Sequence, residues 1–151
     1  MTADRNSDVA IAQILADARV FAVVGASNKP ERPSYAVMQA LIASGYTVHP
    51  VNPGLAGQEI LGRTVYGALS EVPAPVDVVD IFRNSADAPG VVEEAIDLRD
   101  TLGLSVIWMQ LGVVNMVAAA EAEAAGLTVV MDRCPKIELG RLGRYQRIEI
   151  K

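Results

Sequence analysis

The chain of 151 residues has one cysteine, one histidine, few aromatic residues and no long uninterrupted apolar segment. The single cysteine, Cys134, excludes an internal disulfide and fits a reducing compartment. Because no apolar run approaches about 20 residues, we predict that no segment crosses a bilayer. The polar N-terminus has neither the basic nor the apolar region of a secretory signal, so we expect a soluble cytoplasmic protein.

The charge balance and the low aromatic content argue against nucleic acids as partners. The formal net charge is −5, and aromatic residues make up 5% of the chain. Nucleic-acid binding needs a basic face and often stacking aromatics, so any anion site here must depend on locally placed basic residues. With one histidine, His49, and one cysteine, the sequence also predicts no metal site of the usual ligand types.

Apolar segments typical of strands alternate with helical segments along most of the chain. The predicted strands lie at 20–24, 46–51, 64–66, 76–82, 104–109 and 127–131. Continuous valine- and isoleucine-rich strands separated by helices indicate a mainly parallel sheet covered on both faces. We therefore predict an α/β fold, a single doubly wound Rossmann-like three-layer sandwich with five to six strands. It spans 8–142, with terminal extensions at 1–7 and 143–151.

The loop after the first strand carries the strongest signal for a binding site. The strand pattern of 20–24 stops at Gly25, where a small residue lets the backbone turn sharply. Ser34 is predicted to cap the next helix, whose free N–H groups and positive dipole end favour an anion. Lys29 and Arg32 add positive charge, which favours a phosphate site. An ordinary strand-to-helix turn with a surface loop is the alternative.

Ligands of doubly wound sheets bind beyond the carboxyl ends of the strands. The candidate ligand-binding residues at this edge are Gly25, Ala26, Ser27, Lys29, Arg32, Ser34, Tyr35, Asn52, Pro53, Phe82, Arg83, Gln110, Gly112 and Arg133. The sequence contains neither G-x-G-x-x-G after the first strand nor G-x-x-x-x-G-K-[ST]. These absences argue against NAD and against hydrolysis of nucleoside triphosphates. A phosphorylated adenosine remains open as a ligand, because Lys29, Arg32 and Arg83 could contact its phosphates.

Several ordered motifs resemble those of one family. They are Val23–Ser27, Arg32–Tyr35, Val51–Pro53, Val78–Arg83, Trp108–Gly112 and Met131–Cys134. Together they resemble the small stand-alone CoA-binding proteins, whose Rossmann-like fold is similar to the CoA-binding domain of the succinyl-CoA synthetase α subunit. The resemblance covers about 8–142, nearly the whole chain.

The resemblance implies that coenzyme A or an acyl-CoA is the ligand. It also implies that Gly25–Ser27 and Arg32 contact the CoA phosphates, while Asn52–Pro53 and Phe82–Arg83 border the nucleotide. The catalytic phosphohistidine of the synthetase belongs to a further domain, so we do not carry its activity over. We expect a CoA-binding module, acting as a carrier, a sensor or a partner of acyl-CoA metabolism, with no catalytic residue assigned. A small enzyme acting on an acyl-CoA thioester or an NAD(P)-type substrate is the alternative.

Four single residues have a packing interpretation beside a chemical one. We expect His49 to be a strand-end residue, not a catalytic base, since no G-x-S-x-G elbow accompanies it. Trp108 is expected in the core, and Asp80 is expected to form hydrogen bonds at the end of its strand. Cys134 lies between two basic residues near a predicted helix N-terminus, features typical of reactive thiols. It is either a packing residue or a thiol that can form a mixed disulfide with oxidised CoA.

Overall fold

A central parallel sheet organises the molecule. The computed structural model describes residues 6–143, so the predicted terminal extensions lie almost wholly outside the described residues. The strands of the main sheet are β1 (Val20–Val24), β2 (Thr47–Val51), β5 (Val78–Ile81), β6 (Val106–Met109) and β7 (Thr128–Met131). They pair in parallel in the order β2-β1-β5-β6-β7. The predicted α/β fold with a sheet of this kind is confirmed.

Helices cover both faces of the sheet. They are α1 (Asp8–Asp17), α2 (Pro33–Ala43), α3 (Ala88–Leu102), α4 (Met116–Ala124) and α5 (Pro135–Leu142). Residues of α3 and α4 pack with Val79, Ile81 and Met109 in one core cluster. Residues of α1, α2 and α5 pack with Phe21 and Trp108 in the other. The two clusters lie on opposite faces because successive strand side chains alternate, which makes the three layers.

The predicted strand at 64–66 is wrong as a member of the main sheet. A separate antiparallel ribbon is formed by β3 (Glu59–Ile60) and β4 (Arg63–Thr64). Leu61 and Gly62 connect them and both have positive φ, at 52° and 76°. This backbone conformation matches the twist of a two-residue hairpin turn, so the segment folds back on its neighbour. Tyr66 is left with a single bridge to Val51 in β2.

Local capping sets where two of the helices begin. Ser7 caps α1, since its Oγ accepts a hydrogen bond from Ala10 N at 3.1 Å. Asn115 caps α4, since its Oδ1 accepts a hydrogen bond from Ala118 N at 2.9 Å. Within residues 6–143, no helix combines the length and the apolar character that crossing a membrane requires.

The strand order places a switch point, where ligands bind in sheets of this type, at the carboxyl edge of the sheet. The chain passes from β1 to β2 on one side and then to β5 on the other side of β1. The order therefore reverses between β1 and β5, and in open parallel sheets ligands bind at such a switch point. The loops that leave the carboxyl ends of all five main strands meet at this edge.

Candidate functional site

Gly25 allows the loops after β1 and β5 to approach each other closely. Its φ is +93°, and a Cβ at this position would lie 2.8 Å from Phe82 O and 3.1 Å from Arg83 Cδ. The first of these contacts is with backbone, which cannot swing aside. Only glycine adopts this left-handed conformation without strain and also lets the Phe82 carbonyl lie so close to its Cα. The turn predicted at Gly25 therefore depends on the absence of a side chain.

Internal hydrogen bonds hold the loop that follows β1, residues 25–32. Val51 O accepts from Gly25 N at 2.9 Å, and the Asn52 side chain donates to Ala26 O at 2.7 Å. Ser34 does not cap α2 as predicted, because Arg32 is the N-cap residue and the Ser34 hydroxyl accepts from Ser27 N at 3.0 Å. The loop backbone is thus held by hydrogen bonds to residues of β2, of the turn after it and of α2.

Positive charge is concentrated beside this loop. Helix α2 begins at Pro33 with no side-chain cap, which leaves its N-terminal dipole for an external anion. Lys29 and Arg32 are exposed, and within 6–143 no salt bridge involves either of them. We call the cavity of about 490 Å³ here the loop cavity. Its lining is Gly25, Ala26, Ser27, Asn28, Lys29, Arg32, Pro33, Ser34, Asn52, Gly54, Leu55 and Phe82.

A second cavity, the turn cavity, lies against the end of β2. It measures about 460 Å³ and is lined by Val24, Gly25, Val51, Asn52, Pro53, Gly54, Phe82 and Arg83. Asn52 shapes it, since its Oδ1 accepts from Gly54 N at 2.8 Å and begins a short 3-10 turn. Arg83 pairs with Asp87 at 3.1 Å, with both side chains 45% exposed. Such an exposed pair is weak, so it leaves Arg83 able to contact an anion.

The largest of the three cavities, the apolar cavity, lies between α2 and α5. It measures about 770 Å³, and its lining is Pro33, Ala36, Val37, Phe82, Arg83, Asn84, Gln110, Leu111, Val113, Cys134, Lys136, Ile137 and Gly140. Most of these residues are apolar, so the cavity suits an extended, largely uncharged group. Pro33 and Phe82 also line the loop cavity, which makes the two cavities neighbours.

Two buried polar side chains on the face of the sheet that α1, α2 and α5 cover have oxygen atoms without a hydrogen-bond partner among the described residues. Gln110 is 5% exposed, and among residues 6–143 nothing bonds its Oε1. Asp80 is fully buried, and neither of its carboxylate oxygens has a partner within the same range. The prediction of a strand-end hydrogen-bonding role for Asp80 is therefore wrong, because its side chain points into the apolar layer with Val78. Desolvation by burial raises the pKa of Asp80 well above its ordinary value.

The structure brings most of the predicted site residues together, but not all. Tyr35, Gly112 and Arg133 do not line these three cavities. The Arg133 guanidinium instead pairs with Glu138 at 3.1 Å, while Gly112 N donates to the Asp132 carboxylate at 2.7 Å. For these three residues, contact with a ligand stays a prediction.

Sequence reasoning missed the part of the site that helices supply. Ala36 and Val37 from α2, and Lys136, Ile137 and Gly140 from α5, line the apolar cavity. Pro135 in the first turn of α5 was the available signal in the sequence, since it indicates that this helix begins at the carboxyl edge of the sheet.

Two residues considered in the sequence analysis lie outside the three cavities. His49 is edge-on to Tyr66 at a ring-centroid distance of 5.8 Å, and burial lowers its pKa. Trp108 is fully buried, as predicted for a core residue.

Comparison with known proteins gives the family. A family model described as the CoA binding domain matches residues 19–140, which is most of the chain. The chain belongs to the CoA-binding domain family. This confirms the resemblance stated above.

Relatives of this CoA-binding domain chain include both short proteins and a longer enzyme subunit. The uncharacterized protein YneT of Bacillus subtilis is 38% identical over 131 residues, covering 87% of this chain and 93% of YneT. A solved structure described as a hypothetical protein from Pyrococcus horikoshii OT3 has a TM-score of 0.83 at 38% identity, covering 94% of this chain and 99% of that one. The acetate-CoA ligase (ADP-forming) I subunit alpha of Pyrococcus furiosus is 42% identical over 77 residues, or 48% of this chain and 17% of that subunit.

Proposed function

We propose that this CoA-binding domain protein binds coenzyme A or an acyl-CoA along the carboxyl edge of its sheet and acts as a binding module. The observation that carries the proposal is the adjacency of the loop cavity and the apolar cavity, which share Pro33 and Phe82. The loop cavity, with its exposed Lys29 and Arg32, thus adjoins the apolar cavity directly. CoA has the matching sequence of groups, since a phosphorylated adenosine and a diphosphate continue into a long pantetheine arm.

The diphosphate fits the loop cavity best. Lys29 and Arg32 line it together with the start of α2, whose N-terminus has no side-chain cap. An anion there gains charge-assisted hydrogen bonds and a favourable helix dipole. The chain as a whole carries a net charge of −5, so this local positive charge has to select the anion against a repulsive background.

The remaining parts of CoA fit the two flanking cavities. The adenosine would lie in the turn cavity, between Asn52–Gly54 and Arg83, where the guanidinium can meet a ribose phosphate. The pantetheine arm would enter the apolar cavity past Phe82. The volume of about 770 Å³ leaves space for a thioester-bound acyl group as well.

The lining of the apolar cavity favours binding over catalysis. It contains a thiol, an amine, a guanidinium and two amides, but no carboxylate and no imidazole. Hydrolysis or transfer of an acyl group needs a positioned base and acid, and the histidine and carboxylate side chains that most often take these roles are absent from this lining. We therefore propose a carrier, sensor or partner role in acyl-CoA metabolism.

Calorimetry with CoA, acetyl-CoA, NAD and NADP tests the proposal. We expect saturable binding of CoA and acetyl-CoA, and a ligand at one hundred times its Kd should stabilise the fold by roughly 2.7 kcal/mol. Release of free thiol from acetyl-CoA should not exceed the rate in buffer. Saturable binding of NAD without binding of CoA would overturn the proposal, and thiol release that depends on the protein would replace the module with an enzyme.

A further inference from the structure

Cys134 occupies a protected place at the inner end of the proposed CoA site. It is the residue just before α5, is 7% exposed, and lines the apolar cavity. It packs in the core cluster formed by α1, α2 and α5, so the cavity is its route to small molecules. A thiol in such a position can meet a ligand that fills the cavity while other solutes reach it poorly.

Gln110 provides a second, independent indication of a ligand beside this thiol. It lines the same cavity, it is 5% exposed, and among the described residues its Oε1 has no hydrogen-bond partner. An unsatisfied buried amide is costly, by roughly 1–3 kcal/mol in mutational data, and it usually has a partner. The pantetheine arm contains two amide N–H groups, which are the donors that this oxygen lacks.

We propose that Cys134 is a covalent attachment site for CoA, forming a mixed disulfide with the pantetheine sulfur of the ligand in the apolar cavity. This inference rests on the proposed function, because it needs the nucleotide end of CoA held in the loop cavity. The protein would then exist in a thiol form, which exchanges CoA freely, and a CoA-bound disulfide form. Cys134 makes the module responsive to the redox state of the CoA pool.

The chemistry is thiol-disulfide exchange with a CoA disulfide as the co-reactant. The Cys134 thiolate attacks one sulfur of CoA–S–S–CoA, a bond forms between Sγ and that sulfur, and the original disulfide bond breaks. The departing CoA thiolate takes up the proton that Cys134 lost. One disulfide is consumed and one is formed, so no further oxidant is needed. Excess reduced CoA or another thiol reverses the step.

Intact-protein mass spectrometry after incubation with CoA disulfide tests the proposal. Since Cys134 is the one cysteine of the chain, any adduct that a reductant removes must be on it. We expect one CoA per chain, formed faster than the adduct with hydroxyethyl disulfide, which has no nucleotide to bind. With each disulfide at ~0.1 mM, an effective concentration of ~1 mM at the site predicts a ~10-fold preference.

Two variants separate recognition from simple thiol access. Arg32→Ala should slow the reaction with CoA disulfide but leave that with hydroxyethyl disulfide unchanged. A matched control places the thiol at exposed Ser70, as Ser70→Cys in a Cys134→Ser background, and should show no preference for CoA disulfide. If that double variant does not fold, the wild-type preference and the Arg32→Ala result still decide the question.

The outcomes distinguish this inference from the proposed function. If calorimetry under reducing conditions shows CoA binding but CoA disulfide gives no adduct, the inference is wrong and the proposed function stands. Equal rates with the two disulfides would also overturn it, because the cavity would then contribute nothing. If CoA does not bind at all, the proposed function fails and this inference fails with it.

Discussion

The loop cavity and the apolar cavity lie side by side but are built in opposite ways. Around the loop cavity, the side chains of Ser34 and Asn52 form hydrogen bonds with the loop backbone, which hold its conformation. On the side of the apolar cavity, Gln110 and Asp80 have buried oxygens without partners among the described residues. One part of the edge is fixed before binding, whereas the other keeps unsatisfied groups.

Under the proposed function, this difference gives the two parts separate roles. A preformed loop loses little conformational freedom when an anion binds, so it would supply affinity for the phosphates. The unsatisfied Oε1 of Gln110 would gain a hydrogen bond from a ligand in the apolar cavity, so Gln110 would contribute to binding of the pantetheine arm. Four variants, taken from the largest expected effect to the smallest, test this comparison.

Replacing Gly25 by alanine should disrupt the preformed loop. The new Cβ would lie 2.8 Å from Phe82 O with φ at +93°, and we expect a loss of about 3 kcal/mol in the free energy of unfolding. Urea denaturation measures it. Gly62→Ala is the matched control, since its φ is +76° but nothing lies within 4 Å of the new Cβ; it should cost about 1 kcal/mol. Equal losses would show that the close approach of the two loops is unimportant.

Arg32→Ala should weaken the phosphate end of the site without unfolding the protein. Arg32 is exposed and lines the loop cavity, and a lost charge-assisted bond corresponds to roughly 1.5–3 kcal/mol, or about one to two decades in Kd. Calorimetry should show the same loss for CoA and for adenosine 3′,5′-bisphosphate, which has no pantetheine arm. Arg99→Ala removes one charge from α3 and should leave both Kd values unchanged. An unaltered Kd for Arg32→Ala would remove this residue from the site.

Asp80→Asn should change how stability depends on pH. Because the pKa of Asp80 is raised in the folded state, its contribution is most favourable below the unfolded pKa of about 3.9 and declines as pH rises towards the folded value. The decline is at most about 1.4 kcal/mol per pH unit. The variant should therefore gain stability relative to the wild type as pH increases from 4. Urea unfolding at several pH values measures the difference, and a pH-independent difference contradicts the assignment.

Gln110→Leu should separate the two parts of the ligand. Removing an unsatisfied buried amide should leave the fold as stable or slightly more stable, whereas CoA should bind about 0.5–1.5 kcal/mol more weakly through the lost bond to its arm. Adenosine 3′,5′-bisphosphate should bind as it does to the wild type. Calorimetry with both ligands measures the contrast with Arg32→Ala. Equal weakening of the two ligands would show that Gln110 acts on the whole site and not on the arm.

Local patterns in the sequence predicted the position of the loop that the candidate site is built around. The apolar run that stops at Gly25 placed the turn, and Lys29 and Arg32 indicated an anion. Two of the failures come from competition for hydrogen bonds. Ser34 was predicted to cap a helix, but its hydroxyl is taken by Ser27 N. The segment at 64–66 has strand composition, but the hairpin turn at Leu61 and Gly62 pairs Thr64 with Glu59 and not with a strand of the main sheet.

The sequence by itself determined the alternation of strands and helices, the parallel sheet and the edge at which the candidate site lies, because these depend on periodicity and on turn residues that act locally. Tertiary structure alone decided what that edge can hold. Lys136 and Ile137 meet Ala36 and Val37 around one cavity, although about a hundred residues separate the two pairs. It also decided that Asp80 and Gln110 lie buried without partners, since burial depends on what the other elements cover and not on the residues beside them in the chain.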